Sequence, residues 1–468
     1  MNKIAIKMSV VYGLYLGWIL SFLYRGALFD VVFSSDVYNM DILILLLHTL
    51  PILIIFLLRK KGIIHRYKRN TLFVCILVCA GLSIFFAFFA KGIDTLAEFV
   101  IYIVLAVIVG IAELMFIVIS TGWFIRYIPV KKMFGAMALV IIIANIIVEI
   151  CQFYIYIDQK EIAMFVSILA CICTYLVART LREEDEIVRS KYKIEMPKHT
   201  IPLMSIAFFL FSIGGGVVFE MVYPMMQKYF ELAILFGLFP YIFAGFIVFF
   251  VLLRSKPNIN VFLTIAAGFI ILGLIVFQFS FNKWGVFSSE ILIESGYAIL
   301  DVFMWGFVGI IAYVYNKPST VVFFTMSFNV IGVVTGSVIS VFLELNQNDI
   351  GITASLISLV CAVVGMIIIP IIYKETVLET EKGIEILIIE EQQQKNLQKF
   401  KSYNLLSSRE KEVVEYLISN IKNKMIAEQL FISENTLKKH AKNIYAKLKV
   451  QNKKELRQIF IDNEQEKN

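Results

Sequence analysis

Charge is scarce in this sequence. Only 17% of its 468 residues are Asp, Glu, Lys or Arg, against about 25% in ordinary soluble domains. Proline (9), cysteine (6) and histidine (4) are also few. The cysteines (Cys75, Cys79, Cys151, Cys171, Cys173 and Cys361) all lie in apolar runs, with no C-x-x-C pair and no metal-ligand spacing. They read as small apolar side chains and exclude a disulfide framework. A G-x-x-x-x-G-K-S/T loop is absent, as is any Ser-His-Asp or metal-hydrolase spacing. An enzyme reading therefore has no residues to rest on, and no metal or cofactor is expected.

What fills the space is apolar. Hydrophobic residues make up 59% of the chain, including 41 Phe and 21 Tyr, where soluble domains carry about 45–50%. A wholly soluble protein and a disordered chain are both excluded. The charge that exists is placed unevenly: residues 401–468 hold 14 Lys+Arg against 9 Asp+Glu, most of the chain's net +7. The chain reads as a long apolar body, 1–373, a connector, 374–404, and a short basic domain, 405–468.

A bilayer core is crossed by about 20 consecutive, mostly apolar residues per helix. Twelve such runs occur, near 8–24, 40–58, 71–90, 99–121, 133–154, 162–180, 201–223, 232–253, 260–280, 289–314, 320–343 and 351–373. The first is not followed by the small-residue site of a cleavable signal. Lys and Arg favour cytoplasmic loops. One set of alternating loops carries 20 of them, from Lys3 and Lys7 through Arg59–Arg69, Lys131, Lys132 and Arg179–Lys198 to Lys317. The other set carries five: Arg25, Lys91, Lys160, Lys228 and Lys283. Both termini are therefore expected in the cytoplasm, and an even number of spans agrees, since it keeps them on one side.

The longest cytoplasmic loop between spans, LREEDEIVRSKYKIEMPKHT (181–200), follows the sixth run. Six plus six helices around a charged central loop resemble the major facilitator superfamily. The resemblance implies a cavity lined by the first, fourth, seventh and tenth spans. That family's signature between spans two and three is roughly G-x-x-x-D-R/K-x-G-R/K. Here RKKGIIHRYKRN (59–70) is basic but lacks the acidic residue and the second glycine, which favours sensing over transport.

Ionisable residues inside spans are costly and mark function by default. Glu113 lies in the fourth run, Glu220 near the outer end of the seventh, and Glu290, Glu294 and Asp301 in the tenth, with Arg25 just beyond the first. Spacings of 4 and 7 put Glu290, Glu294 and Asp301 on one helix face. Glu294, Asp301, Glu113, Glu220 and Arg25 are the candidates for sensing a small-molecule ligand or a proton. The plainer reading is interhelical hydrogen bonding, which suits Glu149, Glu220 and Glu290 best. Gly214, Gly215 and Gly216 mark either a close helix approach or a hinge.

The basic domain has its own grammar. Ser407 and Glu410 have the spacing of a capping box, followed by apolar Val413, Val414 and Leu417. A second short helix, Lys424–Leu430, leads through a tight turn over Phe431–Ile432 to Ser433, which can cap a third helix. That helix has Leu437, Ile444 and Leu448 on one side and Lys438, Lys439 and Lys442 on the other, as a major-groove reader requires. The pieces LSSREKEVV (406–414), NKMIAEQLFIS (423–433) and SENTLKKHAKNIYAKL (433–448) closely resemble the LuxR-type helix-turn-helix. Departures are Asn420 and Lys449 where glycine is usual, Leu437 for valine and Lys453 for arginine. The resemblance implies binding to double-stranded DNA as a homodimer, with the last helix, Lys453–Ile461, used for dimerisation. Carried over position by position, Lys438, Lys439 and Lys442 are base-edge candidates. Asn435, Thr436 and His440 are phosphate or helix-orienting candidates.

The expected fold is all-α: twelve membrane spans, 6+6, followed by a four-helix cytoplasmic DNA-binding domain. The expected function is a one-component regulator of the cytoplasmic (inner) membrane, the alternative a secondary transporter with a regulatory DNA-binding tail. The charge bias yields a direct test. A cytoplasm-dependent reporter fused after Tyr373 is expected to be active, and the same reporter inserted in 91–98 or 155–161 inactive.

Overall fold

The structure, a computed structural model, describes residues 3–21, 69–89, 96–157, 159–181, 196–229, 237–254, 258–279, 282–315, 317–345, 356–364, 367, 371, 406–418 and 421–461. The chain divides into two compact units, one comprising 1–187 and 193–380, the other 381–468 with 188–192. Every regular element among the described residues is helical.

In the first unit the helices are α1 (Lys3–Ile19), α2 (Arg69–Phe89), α3 (Leu96–Tyr127), α4 (Met133–Tyr156) and α5 (Lys160–Arg179). They continue with α6 (Thr200–Tyr229), α7 (Phe239–Arg254), α8 (Ile259–Phe279), α9 (Lys283–Val314) and α10 (Pro318–Leu345). Residues 356–364 are helical too, within the twelfth apolar run, whereas the second run, 40–58, lies outside the described residues. Among the described residues six stretches are long and apolar enough to cross a membrane: Val130–Tyr156, Glu161–Arg179, Thr200–Val218, Asn260–Phe279, Lys283–Val314 and Pro318–Ser340. Gly110–Ile125 and Phe239–Arg254 are shorter apolar helices.

Helices in lipid gain little from burying apolar surface against each other, so close packing and internal hydrogen bonds hold them. Both devices are present. The most extensive pairings are α6 with α10 and α8 with α9. At the first, a Cβ on Gly216 would fall 2.5 Å from the Val333 carbonyl oxygen and 3.2 Å from Gly336. Of the two readings for Gly214–Gly216, close approach is thus realised at Gly216. At the second, Gly273 and Gly296 admit Ile293 and Ile270 respectively, and Ser289 donates to the Gly273 carbonyl at 2.9 Å. Around α1 the bonds are between side chains: Trp18 Nε1 donates to Ser83 at 3.0 Å, and Ser21 and Ser167 lie 2.9 Å apart. Tyr15 lies 3.2 Å from Cys79 Sγ and stacks on Phe116. These polar atoms, with no water to meet, are satisfied from within.

The second unit contains α11 (Ser408–Ile418), α12 (Asn423–Gln429), α13 (Glu434–Leu448) and α14 (Lys453–Ile461). Their apolar faces close on one another, burying Val413, Val414, Leu417, Ile426, Leu437, Ile444 and Leu456 among others. Among the described residues this core is drawn from 406–456, so the domain carries an apolar core of its own. The expected capping box forms in both directions: Ser407 N–H donates to Glu410 at 2.8 Å, and Glu410 N–H to Ser407 Oγ at 3.2 Å. Ser433 Oγ accepts from Thr436 N–H at 3.1 Å and starts α13.

Helices α12 and α13 end in the same way. Ile432 N–H bonds the Ala427 carbonyl and Phe431 N–H the Glu428 carbonyl; Val450 N–H bonds Tyr445 and Lys449 N–H Ala446. These are Schellman closures, whose turning residue takes a left-handed conformation that glycine adopts most cheaply. Here the turning residues are Phe431 (φ 54°) and Lys449 (φ 57°). A side chain in that region costs about 1–2 kcal/mol, partly offset by the freedom glycine gains when unfolded. Lys449→Gly is therefore expected to stabilise the isolated domain by about 1 kcal/mol, raising its melting temperature by about 4–8 °C, as thermal unfolding followed by circular dichroism would show.

Candidate DNA-binding interface and membrane cavity

Helix α13 has two faces. Leu437, Ala441, Ile444 and Leu448 are buried. Asn435, Thr436, Lys438, Lys439 and Lys442 are exposed and His440 is half-buried. Thr436 is tied to the cap, its hydroxyl 2.8 Å from Ser433 Oγ, which suits an orienting role. Spacings of 3 and 4 bring Lys438, Lys439 and Lys442 together on one side of the helix.

Four other cations of the domain are engaged internally. Arg409 donates to Glu412 at 2.6 Å and to the Leu430 carbonyl at 2.8 Å. Arg457 Nε donates to the Ile418 carbonyl at 2.9 Å, and Lys453 to the Ile421 carbonyl at 2.8 Å. Lys447 donates to Glu410 at 2.6 Å. Arg409, Arg457 and Lys453 thus fasten the ends of α11 and α12 and the segment between them, a function their charge alone did not reveal. Burial and the neighbouring Arg457 push the Lys453 ammonium below its ordinary range. Its bond to Lys447, with help from Ser407 N–H, holds the Glu410 carboxyl below the usual carboxylate range. A carboxylate whose folded value is depressed contributes stability above its unfolded value and loses it as pH falls through the folded one. The pair is therefore intact at neutral pH.

In the membrane unit, a cavity of about 290 Å³ is lined by Asn145 from α4, Phe208, Phe211 and Ser212 from α6, Tyr241 from α7, Asn329 from α10, and Glu290, Glu294, Tyr297 and Asp301 from α9. Tyr241 donates to Asp301 Oδ2 at 2.5 Å. Tyr297 donates to the Phe211 carbonyl at 3.2 Å, and Asn329 to Ser212 at 2.8 Å. Among the described residues lining it, none is Lys, Arg or His. The structure thus brings Glu294 and Asp301 together and adds Glu290. Glu113 is buried, 4% exposed, and is not among the lining residues. Glu220 belongs to α6 but its side chain lies outside the described residues, as does Arg25. Trp305, on the same stripe of α9, packs against Phe208 at 4.7 Å instead of lining the cavity. Tyr241, Asn145, Asn329 and Ser212 were missed. Tyr297, midway between Glu294 and Asp301 on one face, was within reach of the spacing argument.

A helix-turn-helix whose second helix bears an exposed lysine cluster defines a DNA-binding regulator. Residues 404–460 match the family described as bacterial regulatory proteins, luxR family, and the chain belongs to that family. Its similarity to the spore germination protein GerE of Bacillus subtilis (strain 168) is 47% identity over 51 residues, 11% of this chain and 69% of that protein. The membrane unit has the fold of major facilitator transporters. It aligns with FucP in the outward conformation (TM-score 0.59, 11% identity, 79% of this chain and 98% of that one). It also aligns with the human organic anion transporter MFSD10 (TETRAN) (TM-score 0.54, 10% identity, 77% and 98%). At such identities the likeness is one of fold.

A base-reading side chain is worth about 1–3 kcal/mol of discrimination. The isolated domain, 400–468, is expected to bind a two-fold repeat better than a single half-site. A Lys438/Lys439/Lys442 triple alanine variant should lose its preference between specific and scrambled duplexes in a fluorescence titration at about 0.15 M salt. His440→Ala should weaken both alike.

Proposed function

We propose that this protein is a membrane-bound, one-component transcription regulator. Its transporter-like unit senses a ligand or proton, and its luxR-type domain reads DNA as a homodimer. The observation that carries this reading is the presence on one chain of a luxR-type DNA-binding unit and a membrane unit whose cavity gathers Glu290, Glu294 and Asp301 on one face of α9. In this reading the connector 374–404 carries the signal, and the bias of Lys and Arg toward one set of loops supports a cytoplasmic-membrane protein with both termini inside.

The chemistry of the cavity favours a protonated amine or a proton. Carboxylates attract either, and the rings of Phe208, Phe211, Tyr241 and Tyr297 offer faces to an organic cation. A volume near 290 Å³ is at the small end for ligand pockets. A secondary transporter with a regulatory tail is the second reading, favoured by the fold of the membrane unit. The loop 59–70, without its acidic residue and second glycine, favours the sensor.

Asp301→Asn should leave insertion and DNA binding intact yet fix the regulator in one output state. Glu294→Gln should shift the dose or pH response without abolishing it. A reporter driven by the cognate promoter, read across pH and amine series at matched protein levels, decides. Wild-type responses from both variants would remove the cavity from the account.

A further inference from the structure

The recognition helix α13 is held from beneath by an aliphatic stripe, Leu437, Ala441, Ile444 and Leu448. Apolar contact is not directional. Such a stripe fixes which face is down but tolerates small rotations about the helix axis. Side-chain atoms sit about 5–6 Å from that axis, so a turn of some 20° displaces a base-reading ammonium by about 2 Å. Hydrogen bonding to a base edge does not survive that displacement. Something directional must set the angle.

Glu410 meets the requirement. Its side chain is nearly buried, 7% exposed, and Oε2 receives both the Lys447 ammonium at 2.6 Å and the Ser407 N–H at 2.8 Å. The first bond grips α13 in its last turn; the second anchors the carboxylate to the start of α11. One oxygen therefore links two helices 37 residues apart in sequence. At the other end of α13 the Ser433–Thr436 cap is local to the helix and leaves its rotation against α11 open.

We propose that Glu410 is a positioning residue for DNA recognition: through Lys447 it sets the rotation of α13 and with it the aim of Lys438, Lys439 and Lys442, and Lys447 serves this bond instead of a phosphate. The consequence runs against simple electrostatics. Removing a negative charge from a DNA-binding domain ordinarily strengthens attraction to the phosphate backbone. Here it weakens specific binding.

The test uses fragment 400–468, a duplex selected by the wild-type fragment from a random pool, and a scrambled duplex. Glu410→Gln keeps an oxygen for Ser407 N–H and discards the charge. Lys447→Met discards the other partner, and Lys447→Arg keeps it. Glu410→Gln and Lys447→Met are each expected to lose about tenfold on the selected duplex and little on the scrambled one. The double variant should be no worse than either single change, and Lys447→Arg should bind as wild type. Tighter or unchanged binding by Glu410→Gln would overturn the proposal. So would equal loss on both duplexes by Lys447→Met with a shallower salt dependence, the mark of a phosphate contact. Far-ultraviolet circular dichroism at the assay temperature separates misaiming from unfolding. Should Glu410→Gln unfold, Lys447→Met, whose site is 41% exposed, decides alone. A loss confined to the selected duplex supports the proposal, and its absence refutes it.

Discussion

A bilayer interior offers no water to a polar group, and the membrane unit is organised around that constraint. A hydroxyl, indole or amide in a span gains most from a partner within the protein. The result is visible around α1, where Trp18, Ser21 and Tyr15 meet Ser83, Ser167 and Cys79. Small residues serve the same end by letting helices approach, as at Gly216 with Gly336 and Gly273 with Ser289. Against this economy the acidic face of α9 stands out. Glu290, Glu294 and Asp301 border an open cavity, where the environment is made polar by Tyr241, Tyr297, Asn145 and Asn329.

The DNA-binding unit obeys the opposite rule, since water surrounds it. Its stability comes from a small closed core and from caps at its helix ends, and its surface is free to carry charge. It spends that charge in two ways. Lys438, Lys439 and Lys442 are presented outward, whereas Arg409, Lys453 and Arg457 are turned onto backbone carbonyls at the ends of α12 and α11. Charge count alone overstates the positive surface offered to DNA. Two helices also end on non-glycine turning residues, a local cost that the surrounding core sustains.

Much of this was legible in the sequence for physical reasons. Span length is dictated by bilayer thickness, so runs such as 133–154 and 260–280 lie within a few residues of α4 and α8. The run 99–121 was too short against Leu96–Tyr127, and 289–314 against Lys283–Val314, because hydrogen bonding continues where hydropathy has faded. The tail was legible almost residue by residue, since capping boxes and buried stripes are local patterns. Partners across helices were not. Tyr241 with Asp301, Asn329 with Ser212 and Lys447 with Glu410 are 60, 117 and 37 residues apart, and no periodicity announces them. The glycines of α6, in the seventh apolar run, were ambiguous until the neighbouring helix was in place.

The central claim is that the membrane unit governs what the DNA-binding unit does. It is tested most directly by measuring operator occupancy in cells by cross-linking and immunoprecipitation across a pH and amine series. The intact chain would be compared with one carrying a cleavable protease site in 374–404. The account predicts that occupancy by the intact chain follows the conditions and that severing the connector abolishes this dependence. An occupancy that still tracks the conditions after cleavage would contradict it.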